Sequence, residues 1–269
     1  PVPLPLVCCR GKKRARTGHH RKSVQHDHHH ARTARPVAPP EPVAVTGDHD
    51  MDAMLWLRQV VQTGDTALID KAMQAAERIK TPAQELEKRY GDFLMRESKG
   101  NTMAAVFGSI GFANLKELAE RVLDKQQRRT EALARFGSMD GVFATLAQEQ
   151  FCMDVLAPVP VATGVWGSID QAQANAAFAQ HPDMVPHTLA DCLHELEYWD
   201  ALYRLRHGWD NAGDELPEVY ARRCYLDSHC LSTIRPKSRD EAKAVLRFMA
   251  KSEMFDRSET DAVLENLVG

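Results

Sequence analysis

The side chains best placed for chemistry fall between positions 187 and 230. His187, Asp191, His194 and Tyr198 recur at steps of four, three and four residues. On a helix that spacing sets the first three along one line, about a turn apart. Imidazole and carboxylate are ligands that zinc or iron accepts, so His187, Asp191 and His194 form a candidate metal set. Two features oppose it. Asp191 lies three residues after Thr188, where a carboxylate is explained by helix capping. The His194-Glu195 pair also has Tyr198, not a second histidine, four residues on, unlike a zinc-protease helix. A polar helix face in water is the competing reading, and no resident cofactor is expected.

Cys224, His229 and Cys230 form a second group that could serve a thiol enzyme, with Cys230 as nucleophile and His229 as base. Against this, neighbours in a helix point about 100° apart, and cysteines six residues apart point about 240° apart. Two small buried thiols beside a surface histidine is the simpler expectation. The six cysteines are sparse and show no regular C-x-x-C frame, which suits reduced thiols in a cytoplasmic protein better than a secreted disulfide scaffold.

A third group is basic. Lys12, Lys13, Arg14, Arg16, Arg21 and Lys22 lie in a proline- and histidine-rich opening segment, where nine Lys/Arg face four Asp/Glu over residues 1–50. The other 219 residues carry 25 Lys/Arg and 33 Asp/Glu, so the net charge of -3 conceals a basic tail on an acidic body. Such a tail could neutralise nucleic-acid phosphates. A second nucleic-acid reading is a helix-turn-helix near 102–129, with Lys116, Arg121, Lys125, Arg128 and Arg129 on its second helix. Glu117, Glu120 and Asp124 are interleaved with them, the pattern of a solvated helix rather than of a basic face.

The elements that must position these residues read as helices throughout. Residues 1–50 hold seven prolines and no apolar period, and are expected to stay disordered. From Met51 on, apolar stripes of helical pitch recur between stop and start signals. Met54, Leu57, Val60 and Val61 form the first stripe, ended by Gly64. Asp65, Thr81, Asn114, Ser168, Thr188, Ser238 and Ser258 are read as starts of later helices. A long helix is predicted from Leu115 to about Phe136, polar all round between Asp124 and Thr130, and ended by Gly137. Others are predicted over Thr188 to about His207 and Pro217 to about Thr233.

The class predicted is all-α, a multi-helix bundle of about ten helices. Its divisions are a tail at 1–50, helical regions at 51–157 and 168–269, and a proline- and glycine-bearing linker or crossing loop at 158–167. No run approaches the roughly 20 apolar residues of a membrane span, so no membrane partner is expected. Capped amphipathic helices without a catalytic motif point to a non-enzymatic protein-interaction or regulatory role, with another protein as partner. Nucleic-acid binding and a metal or thiol enzyme are the alternatives.

Overall fold

A computed structural model describes residues 37–42, 44–98, 102–160, 169–210 and 212–269. Among them every extended element is helical and no strand forms. The described chain divides into two compact units, one ending at Gln127 and one beginning at Arg128. The expected linker lies mostly in 161–168, outside the described residues. The helices on either side of it belong to the same unit.

In the N-terminal unit the folded chain begins ahead of Met51. Helix α1 (His49–Gln62) is capped by Asp48, whose carboxylate accepts from the backbone N–H groups of Asp50 and Met51. Asp52 gathers the preceding segment. Its carboxylate accepts from the N–H groups of Val45, Thr46 and Gly47 and from the Thr46 hydroxyl. Gly64 ends the first stripe in a left-handed conformation at φ +73°. Asp65 then caps α2 (Thr66–Ala76).

Thr81 departs from expectation. Helix α3 (Ala83–Glu97) has Pro82 at its cap without a side-chain bond, and the Thr81 hydroxyl instead donates to Asp50 Oδ2 at 2.6 Å. A partner 31 positions away has taken the group that a local capping box would use. α4 (Thr102–Ser109) packs on α3. Two glycines permit the close approach. A Cβ at Gly108 would lie 2.7 Å from a Leu94 methyl, and one at Gly91 would touch the Ser109 hydroxyl at 3.3 Å. Phe112, in the turn that follows, stacks on Tyr90 with ring centroids 3.9 Å apart. Arg58 reaches from α1 to donate to the carbonyls of Gly111 and Phe112.

α5 (Leu115–Phe136) starts at Asn114, whose side chain exchanges bonds with Glu117 as a capping pair. Gly137, at φ +79°, follows its end. Its residues to Gln127 belong to the first unit and the remainder to the second. The stretch from Asp124 to Thr130 is polar as read, and each of its residues takes part in an interaction.

The C-terminal unit continues with α6 (Met139–Phe143), α7 (Ala147–Leu156), α8 (Gln171–Ala179), α9 (Leu189–Arg206), α10 (Pro217–Cys224), α11 (Leu231–Thr233), α12 (Arg239–Lys251) and α13 (Thr260–Val268). Thr188 and Asp191 cap α9 reciprocally, and Ser238 caps α12. Asp170 caps α8, the expected start Ser168 lying outside the described residues, and no side chain caps α13. Leu189, Cys192, Leu196, Trp199, Leu202 and Leu205 bury one face of α9. Around them lie Phe178, Tyr225, Leu226, Leu231, Val245 and Met249 in one apolar cluster.

The helix predicted from Pro217 to Thr233 is present but not uniform. Tyr225–Cys230, between α10 and α11, is a π-helical stretch. Its i→i+5 bonding retards the angular advance per residue, so positions beyond it fall out of phase with the 100° count.

Candidate functional site

The strongest departure from an apolar core is Arg222 on α10. Val219, Arg222 and Leu226 follow helical spacing on a buried face, so the arginine interrupts an apolar stripe. It is 1% exposed. Its Nε and Nη2 donate to the two oxygens of Glu195, each at 2.8 Å, and Nη2 also donates to the Met184 carbonyl at 2.7 Å. The rings of Phe178, Tyr225 and Phe151 surround the guanidinium, 5.1, 5.2 and 6.0 Å from its carbon. Burial opposes the charge, yet the bonds and charge of Glu195 outweigh it and raise the Arg222 pKa. Nη1 has no hydrogen-bond partner among the described residues.

Three thiols lie in the same core. Burial pushes the Cys152 thiol up to about 12. The neighbouring Cys230 thiol, together with burial, raises the Cys192 pKa further. Cys192 in turn lowers Cys230, against its burial, with help from the Tyr225 hydroxyl and the Arg222 charge. Cys230 is nonetheless only 2% exposed. His229 is exposed and its ring lies against Tyr225, with centroids 5.3 Å apart. Cys224, partly buried, has its pKa raised by desolvation. The sequence-predicted trio therefore divides among core, core edge and surface.

His187, Asp191 and His194 are likewise put to separate uses. The Asp191 carboxylate accepts from the N–H groups of His187 and Thr188, at 3.2 and 2.9 Å, closing the start of α9. His194 borders an open groove with Glu197 of α9 and Lys237 and Glu241 at the start of α12. Among the described residues, no three His, Cys, Asp or Glu side chains converge as a metal site would require. Lys12, Lys13, Arg14, Arg16, Arg21 and Lys22 lie outside the described residues.

The last turn of α9 forms one wall of a cavity of about 200 Å³. Trp199, Tyr203 and His207 supply aromatic surface, with Phe143 opposite and the 212–216 loop across it. Tyr203 and His207 stack at 3.8 Å. Arg206 and Glu149 meet at the cavity as a salt bridge, with the shorter contact at 2.5 Å. The arginine donates also to the carbonyls of Val142 and Ala144. Glu149 accepts from Arg206 and from the Leu146 N–H. Glu215 is held by Arg223, which also pairs with Asp200. Burial raises the Glu215 pKa against the pull of Arg223.

In the N-terminal unit the candidate helix-turn-helix segment has a different character. Its first helix, α4, turns Met103 and Phe107 outward, 63% and 68% exposed, and Ile110 just beyond it is 67% exposed. No charged residue occurs from Thr102 to Asn114. On α5 the bases Lys116 and Arg121 share the exposed surface with Glu117, Glu120 and Asp124. The Arg222–Glu195 pair and the α4 patch were missed from sequence, although a charge on a buried stripe and a charge-free run were visible signals. No helix among the described residues is long and apolar enough to cross a membrane. No family model, curated protein or solved structure matches this chain.

Proposed function

We propose that the chain is a helical protein-interaction module whose N-terminal unit presents α4 to an amphipathic helix of another protein. The carrying observation is the outward row Met103, Phe107 and Ile110, spaced i, i+4 and i+7, and each more than 60% exposed. Lone apolar side chains on a surface are ordinary, whereas a contiguous row without charge favours an interface. Each side chain covered by a partner would contribute about 1.5–3 kcal/mol. Methionine adds a shape that adapts to its partner. The free thiols among the described residues suit a reducing compartment such as the cytoplasm.

The test is a photo-crosslinking residue placed at position 107 in the living cell. A discrete heterologous adduct is expected, absent when Ile110→Lys is added, and absent when the probe sits at Lys116. An adduct with the mass of two chains, or the same adducts from both positions, would reject the reading.

The charge contrast favours a second role, nucleic-acid binding by the basic opening segment. Affinity for duplex DNA should then fall steeply with salt and disappear when residues 1–36 are removed. Affinity that survives the removal would reject this role.

A further inference from the structure

We propose that the cavity at the end of α9 is a binding site for a small organic cation, an ammonium group carrying a short aliphatic body. The charge arrangement carries the first half of the case. The one arginine in its wall, Arg206, donates to both oxygens of Glu149 and to the carbonyls of Val142 and Ala144. Four of its five N–H groups are thus engaged, and Glu149 balances its charge, so it adds no net positive charge to the cavity. Arg223 is a single cation divided between Glu215 and Asp200. Asp214, also in the wall, has no partner among the described residues. Counting these groups, one negative charge remains on the Glu215–Asp200–Arg223 set and another on Asp214.

The walls carry the second half. Tyr203, His207, Trp199 and Phe143 bring ring surface to the same space, and aromatic faces attract cations that carbon substituents keep weakly hydrated. The cavity also adjoins the last turn of α9, an 18-residue helix whose C-terminal pole is negative. Leu202, Leu216 and Val219 complete a lining suited to an aliphatic body. At about 200 Å³ it is too small for a folded peptide and matches a compact ammonium.

The experiment is calorimetric titration of the full chain with choline, n-butylammonium and 3,3-dimethylbutan-1-ol, the uncharged carbon analogue of choline. One of the two cations should saturate a single site at least tenfold more tightly than the alcohol. Glu215→Gln should weaken that cation tenfold or more and leave the alcohol unchanged. Asp214→Asn, in the exposed loop, should weaken it several-fold. Failure of both cations to saturate, equal affinity for the alcohol, or wild-type cation affinity in both variants would overturn the proposal.

Discussion

The two units handle polarity in opposite ways. In the N-terminal unit the core is apolar throughout, from Met51 to Ala119, while α4 leaves large apolar side chains outside. In the C-terminal unit Glu149, Arg222, Asp227, Thr260 and Asn266 are buried. Each has a partner that water would otherwise replace. Asn266, for example, donates to the carbonyls of Leu231 and Ile234, where α11 ends and its carbonyls lack helical partners. Buried polar groups with specified partners discriminate against alternative packings, whereas an all-apolar core tolerates rearrangement more easily. The lesson is a division of labour. One unit is defined by what it encloses, and the other advertises what it leaves uncovered.

The comparison is broken most directly by placing methionine in both cores. Arg222→Met strands the Glu195 carboxylate, and should cost about 3 kcal/mol in urea unfolding, the lower end for a broken buried pair because Glu195 is partly exposed. Adding Glu195→Leu should recover most of the loss. Leu57→Met, in the N-terminal core, should cost under about 1.5 kcal/mol. If the two single variants cost the same, the contrast between the cores is false.

The pH dependence sharpens the same contrast. Burial holds the Glu215 pKa above that of an unfolded glutamate. Its contribution to stability is complete below the unfolded value and is lost as pH rises through the folded one. Urea midpoints measured upward from pH 4 should therefore fall less in Glu215→Gln than in the parent chain over that interval. An equal fall in both would mean that other groups govern the slope. The smallest effect belongs to α4. Phe107→Ser should change stability by no more than about 0.5 kcal/mol, since the ring is already in water. A larger loss in urea unfolding would show that the ring packs within the fold and is not held out for a partner.

What could be read beforehand was what the chain decides locally. Thr188 with Asp191, Asn114 with Glu117 and Ser238 with Glu241 form caps three residues apart, and such pairs need nothing beyond the helix itself. Helical class and the buried face of α9 follow from the same short-range periodicity. Thr81 escaped because Asp50 competes for its hydroxyl from another helix. Glu195 escaped because a carboxylate beside His194 carries no sign that its counter-ion lies 27 residues away. The cavity escaped for a stronger reason. Its lining comes from α6, α7, α9, α10 and two loops, and no one segment bears its signature. Reading 100° per residue also fails through Tyr225–Cys230, so the contact between Cys230 and Cys192 was out of reach.

That π-helical stretch has an evolutionary corollary. One surplus residue is accommodated there without disturbing the α-helical turns on either side. A single-codon deletion within it would let the backbone revert to ordinary winding while both flanks keep their faces. The same deletion near the middle of α9 would swing Leu202 and Leu205 away from the interior. The chain is thus expected to tolerate length variation at one point of its larger apolar cluster and to reject it at another.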